Sequence, residues 1–335
     1  MLTPAGSSPE PFFRVARHGR CVAAGPAVKI EFLIPGSPTP EFFSQAAMFR
    51  LALDALGGIY EQARLVLCLG DPPAAMPPTR WQPHLRRIDI ARAPPELCRV
   101  NGGPGAFRYE LLDPSCDLAF LCDADTLPMR PFDPVVLQRF VDRPAIRGVI
   151  AHYPPPLTDE IGNDHTGHGP EWFWQFIASR TLGSSIPFTH FYSLVPTPTP
   201  CPFYINYGMV SGTHALLKRL ARQLDWIRPR IRAVLANRFV SQLSLAVGCV
   251  AGNLAVEAMP MRYNFPNDRV ADGMYPEELK QIVILHYLRL DSFDRQRIFV
   301  SADAFKNFLG LRLEGSDHVF QERIRSITGG AYPFR

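Results

Sequence analysis

Asp117-Leu-Ala-Phe-Leu-Cys-Asp123-Ala-Asp125-Thr126-Leu-Pro128 is a short apolar run, Leu118 to Cys122, delivered into two carboxylates one residue apart. A run of that length and composition fits a strand buried on both faces. Its carboxyl end carries Asp123 and Asp125, which alternation places on one side of the extended chain. Two acids converging there repel each other unless a cation lies between them. The pair therefore reads as a divalent-metal site with oxygen ligands, of the kind that holds a substrate diphosphate. An ordinary acidic turn, helped by Thr126 and Pro128, accounts for the same residues, because Asp-x-Asp alone is a weak pattern.

Upstream, Val28 to Ile34 is a first strand, ended by Pro35-Gly36-Ser37-Pro38. A helix follows, with Thr39 as cap, Pro40 in its first turn and Gly57-Gly58 as its end. Its apolar positions Phe43, Ala47, Leu51 and Ala55, with Ala46, Phe49 and Leu53 nearby, are set to face a sheet. Ala63 to Leu69 is a second strand, and a weaker one surrounds Ile88 to Ile90. Strand–helix–strand argues for an α/β domain with a parallel sheet, whose ligands gather beyond the carboxyl ends of the strands. Asn101 to Arg108 is glycine-rich but lacks the ending of a Walker loop, and no Gly-x-Gly-x-x-Gly follows a strand. Arg108, closing that segment, is a candidate cation for a nucleotide.

Downstream, a helix near Val135 to Val141 and a short strand from Gly148 to His152 are expected. Residues 153–200 change character. Asp164, His165 and His168 are spaced like a second metal site, although a polar, glycine-bearing loop produces such spacing by chance. Trp172 and Trp174 fit core packing, or a cleft on which a sugar ring lies. Pro202 to Gly212 is a strand interrupted by Asn206 and Gly208, and the glycine permits close backbone approach. Helices are expected from His214 to Leu224 and from Arg238 to Ala251, with Gln242 early in the second. A strand follows at Leu254 to Met259. Gln281 to Arg289 then repeats the design of the acidic strand and ends its apolar residues in His286, where a lone histidine is usually structural.

With 335 residues, 47% of them hydrophobic, the chain can bury a sizeable core. A formal charge of +4 argues against a nucleic-acid partner. No stretch approaches the roughly 18 apolar residues of a membrane span, and the first residues lack the plan of a signal peptide. Cys21, Cys68, Cys98, Cys116, Cys122, Cys201 and Cys249 are odd in number and form no Cys-x-x-Cys pair. They predict free thiols in a reducing cytoplasm, without structural zinc. Thirty-four prolines, about twice the usual share, predict stiffened loops at 72–78, 154–156 and 196–202.

The order of these signals resembles the glycogenin and lipopolysaccharide galactosyltransferase-like family of sugar-nucleotide glycosyltransferases. Four blocks carry the resemblance: Phe120 to Leu127; Phe203-Tyr-Ile-Asn206-Tyr-Gly208-Met-Val210; Ser241-Gln242 to Ala246 with Arg262 to Phe265 downstream; and Ile284-Leu-His286-Tyr287. It implies a glycosyltransferase-A fold: a single Rossmann-like α/β domain with a mostly parallel central sheet flanked by helices. That domain would span 28–290, after an extension at 1–27 and before a helical extension at 291–335 that packs on it. The resemblance implies manganese, with magnesium as the alternative ion, on Asp123, Asp125 and His286. It places Asn206 and Gln242 beside the donor sugar, and Ala124 and Gly208 at the donor site. A hexose would pass from a nucleotide sugar, a uridine one first, to a glycan, lipid-linked or protein acceptor, with retention at the anomeric carbon.

Two positions depart from that pattern. Ser241 stands where the family has an acid, and the family's late diphosphate-gripping lysine is missing. Arg289 or Arg295 would take the lysine's place as a planar fork instead of a point charge. These departures keep open a non-catalytic nucleotide-sugar or glycan-binding module of the same fold. A phosphatase of the haloacid dehalogenase type also uses Asp-x-Asp after a strand, but it expects threonine or valine where this chain has Leu127. In the last 45 residues, helices at Ala302 to Leu309 and Val319 to Ile327 either pack back on the domain or present Arg323, Arg325 and Arg335 to acidic lipid, a peripheral membrane contact.

Overall fold

Alternation along the buried strands sorts their side chains onto two faces of one sheet. The computed structural model describes residues 28–70, 80–98, 103–156, 169–235 and 239–334. The strands, in chain order, begin with β1 (Ile30–Gly36), β2 (Arg64–Leu69), β3 (Asp89–Arg92) and β4 (Leu118–Cys122). Next come β5 (Thr126–Pro128), β6 (Ile146–Gly148) and the hairpin of β7 (His190–Phe191) with β8 (Pro200–Cys201). The last are β9 (Met209–Gly212), β10 (Val256–Ala258), β11 (Phe265–Pro266) and β12 (Ile284–His286). The main sheet has the order β10-β6-β9-β4-β1-β2-β3. Its neighbours run parallel except around β9, which is antiparallel to both β4 and β6. A second, smaller sheet has the order β11-β12-β5. This is the mostly parallel, helix-flanked α/β architecture that the sequence implied.

Ile30, Phe32 and Ile34 of β1 and Leu118, Phe120 and Cys122 of β4 share one core with the helix Pro40–Leu56 and the C-terminal helices. Leu33, Ala119 and Leu121, the residues between them, join the opposite core. There they meet the helices Gly169–Leu182, His214–Val234 and Val240–Ala251. Such two-sided burial is what a continuous apolar run without polar alternation requires.

Several boundaries differ from expectation for physical reasons. The first helix is Pro40–Leu56, and Gly57 ends it at φ 68. Thr39 occupies the cap position, but its hydroxyl makes no capping bond. Ala55 is exposed, not sheet-facing. Strict i+4 spacing drifts about 40° per step on a helix of 3.6 residues per turn, so the buried stripe runs instead through Phe43, Ala46, Ala47, Phe49 and Leu53. Residues 169–182 form a helix that the sequence reading did not assign. Pro170 marks its first turn, and Phe173, Trp174, Ile177 and Ala178 form its buried stripe. Trp174 is therefore core, donating its indole N–H to Tyr192 Oη at 2.8 Å. Trp172 stacks on Phe176, ring centroids 5.0 Å apart. Neither tryptophan lines the cleft at the two acids.

The helix from His214 continues to Val234 through Pro229. The strand expected over 202–212 pairs only as β9, with Ile205 making an isolated bridge to Ile150. The one expected at 148–152 lies earlier, as β6. The 1–27 extension, the 72–78 prolines, Arg238 and the Asp164-His165-His168 cluster lie outside the described residues. Cys116, Cys122, Cys201 and Cys249 are free thiols. Among the described residues no helix is long and apolar enough to cross a membrane.

The C-terminal helices Ala302–Gly310 and Gly315–Thr328 bury Phe305, Phe308, Phe320 and Ile324 in the core shared with β1 and β4. Arg325 pairs with Glu322 and donates to the Leu309 carbonyl. Phe320 is fully buried and stacks on Tyr287 at 4.6 Å, with Phe293 at 5.7 Å and Phe308 at 5.6 Å. Because Tyr287 directly follows β12, this stack braces the strand that carries His286. Phe320→Ala is expected to cost about 3–5 kcal/mol by urea denaturation. A loss below about 1 kcal/mol would show that the helix does not brace the strand.

Candidate metal and substrate cleft

The acidic strand does not continue extended past Cys122. Thr126 donates to the Asp123 carbonyl through both its amide (3.3 Å) and its hydroxyl (2.7 Å), so residues 123–126 form a turn. The two carboxylates converge through this turn and not through strand alternation, which corrects the expected reason for their pairing. Two distant segments close on the turn. Because β9 runs antiparallel to β4, the Gly208 carbonyl accepts the Asp123 amide at 3.1 Å. Because β12 runs antiparallel to β5, His286 lies opposite Thr126, and the Tyr287 amide donates to the Asp125 carbonyl at 2.9 Å. The Tyr287 hydroxyl donates to the Ala124 carbonyl at 3.2 Å.

These main-chain ties bring ligand atoms of Asp123, Asp125 and His286 within 4.8 Å of one another. His286 Nε2 lies 3.3 Å from Asp125 Oδ1. Gly208 was expected to allow a close approach, and what approaches is the imidazole. A Cβ at position 208 would sit 2.2 Å from His286 Nδ1 and 2.5 Å from Asn264 Oδ1. Both of those buried atoms lack a hydrogen-bond partner.

Burial and the neighbouring Asp125 push Asp123 above the ordinary aspartate range. Burial acts on Asp125 in the same direction, but the imidazole of His286 and the guanidinium of Arg295 outweigh it and hold that carboxyl below its usual value. Arg295 binds Asp125 Oδ2 and the Leu288 carbonyl. Two oxygens and one imidazole nitrogen in this reach, with Nδ1 unsatisfied, fit a divalent ion. The nitrogen favours manganese over magnesium, which prefers oxygen and retained waters.

Three hollows meet at Asp123. One of about 490 Å³ runs along Ser37, Thr39, Gln45, Ala124 and Arg295. A second, of about 420 Å³, is bounded by Arg108, Tyr207, Arg228, Ser241 and Gln242. The third, of about 590 Å³, opens over Asn206, Gln242, His286 and Arg289 toward Tyr153 and Pro156. The expected site residues thus gather around one cleft, in differing condition. Asn206 Oδ1 accepts from the Gly208 amide (2.8 Å) and from Asn264 Nδ2 (3.1 Å), which fixes the side chain at the rim. Arg289 is held by Asp268 Oδ2 at 2.7 Å. Arg108 is buried and donates to main-chain carbonyls, among them Cys122 at 2.6 Å, so it serves the cleft as a floor brace.

Sequence reasoning missed Arg228 and His152. His152 is buried, its Nδ1 3.0 Å from Ser193 Oγ and its Nε2 without a partner. Burial, then the charges of His286 and Arg289, push its pKa down to about 3. Its position as the last residue of an expected strand was the only signal available.

No family model matches this chain, and no curated protein does. Among solved structures it is similar to the galactosyltransferase LgtC in complex with donor and acceptor sugar analogues. That likeness has 12% identity, a TM-score of 0.48, and covers 90% of this chain and 96% of LgtC. It is similar to mouse xyloside xylosyltransferase 1 in its apo form, with 11% identity, a TM-score of 0.46, and 78% and 98% coverage. It is also similar to the apo bifunctional glycosyltransferase WbbM, with 11% identity, a TM-score of 0.45 and 80% of this chain covered. The chain spans 47% of WbbM's length. Identities this low assign no residue a role.

Gly208→Ala is expected to push the imidazole away and weaken manganese binding at least about tenfold by calorimetry, which about 1.4 kcal/mol suffices to produce. Unchanged affinity would show that His286 is no ligand. Because Asp123 is raised, a proton must leave before an ion binds at low pH. The metal-free fold likewise loses a stability contribution as pH rises through that raised value. Manganese affinity should therefore fall at least about tenfold from about pH 7.5 to about pH 5. A flat profile would contradict this.

Proposed function

We propose that this chain is a metal-dependent glycosyltransferase that moves a hexose from a uridine diphosphate sugar to an acceptor hydroxyl. The observation that carries the proposal is the convergence of Asp123, Asp125 and His286 beyond the carboxyl end of β4, with hollows opening on each side. That is where an open α/β sheet binds ligands. Asp123, Asp125 and His286 would hold manganese, which supplies positive charge to a departing diphosphate. The hollow along Ser37, Thr39 and Gln45 offers polar groups to a nucleoside. Gln242 belongs to both of the other hollows and, with Asn206, would orient the donor sugar. The hollow toward Tyr153 and Pro156 is the entrance for an acceptor, whether glycan, lipid-linked or protein.

Arg295 would leave Asp125 for the diphosphate when the ion binds, moving its charge to where negative charge develops. The reaction would retain anomeric configuration, with a departing phosphate oxygen taking the acceptor proton. Free thiols at Cys116, Cys122, Cys201 and Cys249 fit work in a reducing cytoplasm. A second reading, a non-catalytic nucleotide-sugar or glycan-binding module, draws on the pairing of both late arginines with carboxylates, Arg289 with Asp268 and Arg295 with Asp125.

Incubation with manganese and a panel of radiolabelled nucleotide sugars separates the two readings. The enzyme should hydrolyse its donor slowly without acceptor, and Asp125→Asn should lower that rate at least about 100-fold, or about 2.7 kcal/mol. Binding of a donor without turnover favours the module, and an Asp125→Asn protein with full manganese-dependent turnover would defeat the proposal.

A further inference from the structure

The cations around the cleft differ in what they already hold. Arg289 is engaged by Asp268, and Arg295 by Asp125 and the Leu288 carbonyl. Arg108 is engaged by the carbonyls of Leu33, Cys122 and Gly105. Arg228 is different. It projects from the helix His214–Val234, lines the hollow of about 420 Å³, and has a buried Nε with no hydrogen-bond partner. No hydrogen bond or ion pair engages it among the described residues. A guanidinium with a shielded, unpaired Nε and no counter-charge in reach is a ready partner for an anionic ligand group.

The lining of that hollow says which part of a ligand would reach Arg228. Ser241 and Gln242 share the hollow, while Arg295, Gln296 and Thr39 line the hollow on the nucleoside side and Arg228 does not. Asp123 is the single carboxylate among the described lining residues, against two guanidiniums. If Asp123 is neutralised by an ion, the wall is strongly positive. A neutral hexose leaves that charge unmatched, whereas a carboxylate fits a guanidinium fork in two parallel hydrogen bonds.

We infer that the donor sugar carries its own negative charge, as a uronic acid does, and that Arg228 is the residue that selects it. The inference rests on the sugar-transfer reading and deepens it by naming the donor class. Ser241 belongs to the same selection: an acid at that position would put a second negative charge beside Gln242 and repel a carboxylate.

The test is calorimetric binding of UDP, UDP-glucose, UDP-glucuronate and UDP-galacturonate to the full chain with manganese, in wild type, Arg228→Gln and Arg228→Lys. A uronate donor should bind wild type at least about tenfold tighter than UDP-glucose, equivalent to about 1.4 kcal/mol. Arg228→Gln should erase that preference and leave UDP affinity unchanged, and Arg228→Lys should keep part of it. An equal or greater wild-type affinity for UDP-glucose overturns the inference, whether or not the variants fold. So does a glutamine variant that loses UDP as strongly as the sugars, because Arg228 would then grip the diphosphate. Failure of UDP itself to bind sinks the sugar-transfer reading, and this inference with it.

Discussion

The amide of Tyr287 donates to the carbonyl of Asp125 at 2.9 Å, in register with the ladder that sets His286 opposite Thr126. Everything proposed for the cleft depends on that pairing of β12 with β5. A side-chain ion pair across the same gap would be soft and sensitive to salt. A main-chain ladder, braced behind by Tyr287 against Phe320, holds the imidazole in place whatever its charge. The second tie, from the Asp123 amide to the Gly208 carbonyl, brings in a residue with no side chain where one would collide with the ring.

Geometry of this kind gathers like charges, and the fold does not relieve them fully. Asp123 is disfavoured as an anion by burial and by Asp125, whereas Asp125 is kept ionised by His286 and Arg295. On the proposed reading, both carboxylates would be relieved together by a divalent ion held between them, and Arg295 would be free to follow negative charge elsewhere in the cleft. The pairing that suggests a passive module is thus also a way of holding a cation ready beside the acids. The two readings differ in whether Arg295 moves.

Much of the framework was legible because it is written in local pattern. β4 is a continuous apolar run, β1 and β2 are apolar apart from Glu31 and Arg64, and the first helix is bounded by Pro40 and Gly57. Asp123, Asp125 and His286 were legible as strand-end residues in a particular order. Their reason for meeting was not: it lies in a turn closed by Thr126 and in pairings between distant segments. The helix at 169–182 was hidden by tryptophans that resemble a sugar platform, although Trp174 is wholly buried. Arg289 or Arg295 was expected as a phosphate cation, but nothing in the sequence signalled that Asp268 and Asp125 pair with them. Arg228 gave no sign in the sequence, since a guanidinium becomes notable only when its surroundings offer it nothing.

The most direct measurement is anomalous diffraction at the manganese edge from crystals grown with manganese and a non-hydrolysable uridine diphosphate sugar. The account predicts one strong peak within coordinating distance of both carboxylates and of the His286 imidazole, with the diphosphate on its open side. A peak that leaves His286 still bonded to Asp125, or an absence of any peak at the two aspartates with donor bound elsewhere, would contradict it.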